Sequence, residues 1–526
     1  MVQFFFQRFA IFVFVLAFGF SCQGENVLLS NPPSRVKNII LMIGDGMGPQ
    51  EVSQALYWRR LTQPKDKKLH MEWLYDNGVS GTVNTWSYKN IVTDSAAAAT
   101  AMACGFKTRN GILGLGPNGE KCDSVLSLAD RLGKSTGLVS NTRLSHATPA
   151  AFVAADASRN NENEIAEKIL STGIVDVLLN GGARHLTPQN TKFSQIPGCE
   201  RTDPRADGVS KRFDDKNIFE TARQSGYRFV CTAEQLAGIS LAKGEKLLGI
   251  FANTQFPMIQ ERATSLTVPS LSNMTAKSLE VLSKNENGFF LMVEGGLIDF
   301  AGHANDAGTL LLETLDFDHA IGVALDYVKN HEDTLLIVTA DHESGGFSYS
   351  YRQYLKGDDL EVVSFPDGTV YQAAYPPVKP DDVFGALGSQ KSSFSGLFTP
   401  YLDKIYKQGE DPSTLTDNFR MDVKDKIGFE ITPEESYWIL TKQHAFAVER
   451  SDVAVFHSED ALEEIHSGRL AKILSPQNFV TWSTGTHTAV AVPILAFGSL
   501  EAAAYFDGNI ENTAIAEQIK RLWNTP

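Results

Sequence analysis

The chain has 526 residues, 43% of them hydrophobic, and a formal net charge of −15. That length is ample for a large buried core, and the negative balance argues against general nucleic-acid binding. An anionic substrate would therefore have to be drawn by local cations rather than by the protein's overall field.

The chain opens with MVQFFFQRFAIFVFVLAFGFSC, in which one basic residue, Arg8, precedes a short apolar stretch from Phe9 to Phe20. This stretch falls short of the ~20 residues of a spanning helix and reads as a secretory signal over residues 1–22. Cys22 follows Gly19, Phe20 and Ser21, an imperfect lipoprotein cleavage box. A lipid anchor at Cys22 and ordinary cleavage nearby both stay open, and either implies export to a periplasmic, cell-surface or extracellular location.

Further along, three continuous apolar runs each end in a carboxylate: Asn38 to Ile43 before Asp45, Phe289 to Val293 before Glu294, and Leu335 to Ala340 before Asp341. Runs of this kind read as parallel strands buried on both faces, which predicts an α/β fold with a large, mostly parallel central sheet flanked by helices on both faces. Ligand sites in such sheets gather at the carboxyl ends of the strands, so the three acids should converge. Between the first two runs, VTDSAAAATAMACG places Ser95 where a helix of strong formers begins and backbone N–H groups are unpaired, an anion-binding position. A plain helix cap by Asp94 or Ser95 would account for the same residues.

Crowded buried carboxylates repel one another and need cations to persist. EGGLIDFAGHAND sets Asp299 and His303 four residues apart, a chelating pair on one helix face, and His342 directly follows Asp341. His487 sits in WSTGTHTAV, just before the apolar run Ala489 to Phe497. Asp and His together suit zinc, whereas Asp, Glu and hydroxyl sets suit magnesium.

Six motifs in order, IILMIGDGMG, TDSAAAATA, SHATPAAFVAADASR, FFLMVEGGLIDFAGHAND, LLIVTADHESGG and GTHTAV, make the chain resemble the alkaline phosphatases over most of its length. The resemblance implies hydrolysis of small phosphate monoesters through a phosphoserine, with two zinc ions and one magnesium ion per chain. It implies that Asp299, His303 and His487 hold the first zinc, and that Asp45, Asp341 and His342 hold the second beside the nucleophile Ser95. Magnesium would take Asp45, Thr148 and Glu294, and Arg159 would grip the substrate phosphate. It also implies a homodimer.

Three residues depart from the best-known bacterial pattern. His146 stands where aspartate is usual and is placed beside the magnesium rather than on it. Phe300 replaces a lysine and cannot hold a phosphate-bridging water, so phosphate should be retained more weakly. Ser344 replaces a histidine that supports the nucleophile's surroundings.

The motif-bearing blocks lie at about residues 36–180, 286–350 and 480–500, which suggests one domain over 36–526. Residues 350–476 carry no ligand motif; they include the turn-rich YPPVKPDD and an acidic helical pattern from Ser458 to Leu474, and read as an accessory insertion over the active-site mouth. Without Cys22, four cysteines remain, which allow three connectivities. Sequence separation favours Cys104 with Cys122 and Cys199 with Cys231, while buried free thiols are also compatible with so large a core. A sulfatase would need proline and arginine after its nucleophile, whereas Ala96, Ala97 and Ala98 follow Ser95. A phosphodiesterase of the same superfamily would lack the Thr148, Glu294 and Arg159 set. A non-catalytic secreted metal-binding protein would have no reason to retain nucleophile, arginine and ligands together.

Overall fold

Seven consecutive residues with no polar alternation make a stable strand only where both faces of the sheet are covered. The computed structural model, which describes residues 36–351, 360–372, 379–441 and 461–523, builds its centre from such segments. In chain order the first eight strands of the central sheet are β1 (Asn38–Gly44), β2 (Val79–Asn84), β3 (Ser135–Arg143), β4 (Val177–Gly181), β5 (Tyr227–Val230), β6 (Lys246–Ile250), β7 (Phe289–Gly295) and β8 (Thr334–Ala340). The strands Val492–Phe497 and Gly508–Glu511 complete it. Every residue of β1, β7 and β8 is buried.

The ten strands lie in the order Gly508–Glu511, β2, Val492–Phe497, β8, β1, β7, β3, β4, β6, β5. Val492–Phe497 runs antiparallel to both its neighbours, β8 and β2, and the other pairings are parallel. Helices cover both faces, as the alternation along β7 demonstrates. Phe289 packs edge-on against Tyr327 of the helix Ala307–Lys329, while its neighbour Phe290 meets Phe152 and Trp523 on the other side.

The centre of the sheet places the acids. β1 pairs with both β7 and β8, with Ile43 opposite Glu294 and Thr339, so Asp45, Glu294 and Asp341 emerge at neighbouring carboxyl ends. The helix Ser95–Cys104 is buried at every position because its side chains are small enough for close approach. It ends at Gly105, whose φ of 87° is the left-handed conformation that glycine adopts without a Cβ clash.

After β8 the strand Phe347–Tyr349 pairs antiparallel with Val480–Trp482, and this pair closes the base of the segment between them. That segment contains a hairpin, Val362–Ser364 with Val370–Gln372, and a helical cluster: Pro380–Gly388, Phe394–Leu402, Thr416–Asp422, Pro433–Leu440 and Ala461–Asn478. Leu397, Phe398, Phe419, Leu440, Leu470 and Leu474 are buried there. Asp306 caps the helix Ala307–Lys329 and also accepts from Gln390 Nε2 at 2.9 Å and Phe394 N at 2.7 Å, fastening the cluster to the main body.

Disulfides join Cys104 to Cys122 and Cys199 to Cys231. Among the described residues, no helix is long and apolar enough to cross a membrane. The signal segment with Cys22 and the Ser458 end of the acidic pattern lie outside the described residues.

Candidate active site

Ser95 is the first residue of its helix, and Asp94 before it is the cap, accepting from Ala97 N at 2.9 Å. The serine side chain is thus left for other work. It is buried, and its Oγ lies 3.2 Å from His342 Nε2. Asp94 does more than cap, because its other oxygen accepts from Arg159 Nη1 at 3.2 Å and from Gly111 N at 2.9 Å. Arg159 also meets His146 Nε2 at 3.2 Å through Nη2, so its guanidinium is held on two sides beside the serine helix.

Around Ser95 the strand ends assemble an acid cluster. His342 Nε2 stands 3.5 Å from Asp45 Oδ1 and 3.2 Å from Asp341 Oδ2. Thr148 Oγ1 donates to Asp45 Oδ2 at 3.3 Å. Glu294 accepts from Ser140 and, at 3.0 Å, from Thr142, two hydroxyls at the end of β3. Asp299 and His303 lie on the short helix Leu297–His303, with 3.3 Å between Oδ2 and Nε2. His487 arrives through a two-residue ladder that pairs His487 with Ser344 and Thr488 with Glu343. Its Nε2 reaches within 3.6 Å of Asp299 Oδ1 and 3.1 Å of His303 Nε2. All of the expected ligands therefore come together, and Phe300 lies beside them, its ring centroid 6.0 Å from that of His146.

These residues fit metal ions. Asp45 Oδ1, Glu294 Oε1 and Asp341 Oδ2 are buried and have no hydrogen-bond donor, an arrangement that costs free energy unless a cation is present. Burial, then the charges of Asp341, Asp299 and Glu294, pushes Asp45 well above the ordinary carboxylate range. Burial and Asp299 likewise push Asp341 up to about 8. The histidines carry a second signature. His303 Nδ1 faces Gly485 O at 2.7 Å and His487 Nδ1 faces Thr93 O at 3.0 Å. A carbonyl only accepts, so each Nδ1 holds the proton and the two Nε2 lone pairs face each other, as ligands to one ion would. Burial lowers the pKa of His342 and His487, which keeps both rings neutral and able to ligate.

Three sets of His, Asp and Glu atoms lie close enough to share an ion: Asp299 with His342 and His487, Asp45 with Asp341 and His342, and Asp45 with His146 and Glu294. The third set brings His146 closer to ligating position than its expected supporting place, with Nδ1 3.8 Å from Glu294 Oε1 and without a hydrogen-bond partner. The Ser344 hydroxyl donates to Asp299 and lies 3.4 Å from His342 Nδ1, so it touches both neighbouring site residues. Sequence alone gives Asp94 no function beyond capping and assigns none to Ser140 and Thr142. The available signal for the latter pair is the polar stretch SNTR, residues 140–143, that ends β3 after Leu138 and Val139.

The family model for alkaline phosphatase matches residues 36–525. The chain belongs to the alkaline phosphatase family. It is 29% identical over 493 residues to alkaline phosphatase 3 of Bacillus subtilis, covering 92% of this chain and 88% of that protein. Its fold is similar to the crystal structure of Thermus thermophilus alkaline phosphatase, with a TM-score of 0.73 and 26% identity over 95% of this chain and 94% of that one. The cold-active alkaline phosphatase of Shewanella sp. aligns with a TM-score of 0.68 and 28% identity, over 92% and 99% of the two chains. As an alkaline phosphatase the protein is a metal-dependent phosphomonoesterase, and phosphate monoesters are its substrate class.

Proposed function

We propose that Ser95 is the nucleophile and that the phosphoryl group passes from the substrate to its Oγ, releasing the alcohol, and then to water. The observation that carries this reading is the buried serine, 3.2 Å from His342 Nε2, a nitrogen that itself lies 3.5 Å from Asp45 Oδ1 and 3.2 Å from Asp341 Oδ2, two buried oxygens that have no donor. In this assignment Asp45, Asp341 and His342 hold one zinc beside Ser95, and Asp299, His303 and His487 hold the other. Asp45, Thr148 and Glu294 hold magnesium, with His146 adjacent to them. When bound, the metals supply Lewis acidity to the phosphoryl oxygens and to the attacking and departing oxygens.

The chain's own groups do the positioning. In-line displacement puts the departing ester oxygen opposite Ser95, on the side of Asp299, His303 and His487. Arg159, steadied by Asp94 and His146, offers a planar fork to two non-bridging oxygens, and a charged fork is worth more there than a lysine's single point. Phe300 presents an apolar ring where a cation would tighten the hold on product.

Residues 36–526 form one catalytic domain in this reading, with 350–476 as an accessory insertion. Export by a signal within residues 1–22 agrees with the two disulfides, which belong to an oxidising compartment. Lipid attachment at Cys22 and a homodimer complete the proposal, and mass spectrometry of the mature protein and sedimentation test them directly.

Ser95→Ala tests the core of it. Turnover of 4-nitrophenyl phosphate should fall at least ~1,000-fold with zinc content retained, and a phosphoserine trapped at acidic pH in the parent should be absent. Ordinary turnover in that variant would remove Ser95 from the mechanism.

A further inference from the structure

Ile465, Gly468, Arg469 and Lys472 fall at the i, i+3, i+4 and i+7 positions of the helix Ala461–Asn478, so they share one face. That face and the half-exposed Trp438 line a cavity of about 360 Å³. The opposite wall is Asn305, Gly485 and Thr486, the residues that flank two of the proposed ligands. Gly485 O accepts from His303 Nδ1, and Thr486 immediately precedes His487. Asn305, held at φ 52°, donates to Gly302 O at 3.2 Å and Thr484 O at 2.9 Å, stitching the two ligand segments into one wall. The cavity therefore opens between the insertion and the side of the site that carries His303 and His487.

Its charge is opposite to that of the protein as a whole. Among the described residues, neither Arg469 nor Lys472 forms an ion pair with a carboxylate, although the chain carries 62 acidic residues against 47 lysines and arginines. Arg469 is held in place. Its Nη1 donates to Trp438 O at 2.7 Å and Thr441 O at 3.1 Å, and its guanidinium lies 5.0 Å from the Trp438 ring. Nε and Nη2 make no hydrogen bond among the described residues, which leaves a fixed planar edge of the kind that matches a phosphate bidentately. Lys472, one turn further along the same face, is exposed and adds a second positive charge.

We propose that this cavity receives the leaving-group half of the substrate and selects phosphomonoesters whose leaving group carries a second phosphate. The inference rests on the proposed mechanism, in which the ester oxygen departs toward Asp299, His303 and His487. Arg469 would grip the distal phosphate, Lys472 would add attraction at longer range, and Trp438 with Ile465 would give the connecting carbon skeleton an apolar wall. The insertion would then be the specificity element, separate from the groups that break the bond.

The test compares kcat/KM for fructose 1,6-bisphosphate and fructose 6-phosphate at low ionic strength. The parent enzyme should prefer the bisphosphate by about 10-fold, the scale of one charge-assisted contact. Lys472→Gln should cut that ratio about 3-fold, and Lys472→Gln with Arg469→Gln should bring it near 1. Because Arg469 also supports the Trp438 and Thr441 carbonyls, Lys472→Gln on the exposed side is the variant that remains informative if Arg469→Gln disturbs the insertion. No preference in the parent, or a ratio unchanged within twofold in the variants, overturns the cavity assignment. Failure of the underlying mechanism would look different, as Ser95→Ala turning over both sugars at the parent rate.

Discussion

Replacing Asp341 by asparagine should make the metal-free protein more stable and the metal-loaded protein less stable. In the structure Asp341 Oδ1 accepts from Gly46 N at 3.2 Å and His342 N at 3.0 Å, bonds that an asparagine carbonyl can keep. Oδ2 accepts no hydrogen bond and faces His342 Nε2 at 3.2 Å, so an NH₂ in its place removes one charge from the cluster and can donate to that ring nitrogen. Burial and then Asp299 raise the Asp341 pKa from 3.8 to about 8. A carboxyl with a raised folded-state pKa binds a proton that the unfolded chain has released, so metal-free stability falls as pH climbs from about 4 to about 8. A shift of that size corresponds to a penalty on the order of 5 kcal/mol at pH 9. At roughly 2 cal/mol/K per residue, a chain this long unfolds with an entropy near 1 kcal/mol/K, so full relief is about 5 °C in Tm. Calorimetry of parent and Asp341→Asn in chelator should give that rise at pH 9 and converging Tm values near pH 4. Reconstituted with zinc and magnesium, the order should reverse, because the variant lacks a proposed ligand and with it part of the stabilisation by bound metal. A chelated variant that melts below the parent at pH 9 would refute the reasoning.

Glu294→Gln keeps its contacts with Ser140 and Thr142 in shape but removes the proposed hard anionic ligand of magnesium, so magnesium should be lost before zinc. Activity should fall about 10- to 100-fold and recover partly in a magnesium titration, with metal content per chain measured alongside. His146→Ala should produce a milder version of the same loss, since its Nδ1 faces Glu294 at 3.8 Å. Phe300→Lys should lower the inhibition constant for inorganic phosphate about 10-fold and slow turnover if product release is limiting; unchanged inhibition would take position 300 out of the site. Asp94→Asn should release Arg159 from its 3.2 Å contact and raise KM for 4-nitrophenyl phosphate while zinc content holds, and an unchanged KM would restrict Asp94 to helix capping.

The centre of the fold is legible in the sequence because a strand buried on both faces must be apolar throughout. Asn38 to Ile43, Phe289 to Val293 and Leu335 to Ala340 stand out for that reason, and so does the carboxylate that follows each run. Asp299 and His303 are legible from helical spacing alone. The role of Ser344 is not, because its contact with Asp299 depends on the pairing of residues 343–344 with 487–488, which no local pattern encodes. Asp94's hold on Arg159 is equally non-local. The insertion helix reads as acidic in sequence, whereas its described face toward the site carries Arg469 and Lys472. Composition along a helix does not say which face a neighbour leaves open. Glu51 also escapes sequence reading: it is fully buried with no donor on either oxygen, yet it lies in a helix whose sequence, PQEVSQALYWRR, marks no polar position as interior.

The short ladder between residues 343–344 and 487–488, with the antiparallel strand that follows, has a consequence for how the enzyme matures. His487 is placed by a late segment of the chain, just before the Val492–Phe497 strand that lies between β2 and β8. Asp45, by contrast, belongs to the first strand of the sheet. A chain clipped before His487 would leave the imidazole pair incomplete and, in the proposed assignment, hold its ion weakly. In the proposed assignment metal uptake would then report completion of the sheet: the ion would bind tightly once His487 is in place, and its binding would in turn hold the His487 segment against Asp299 and His303.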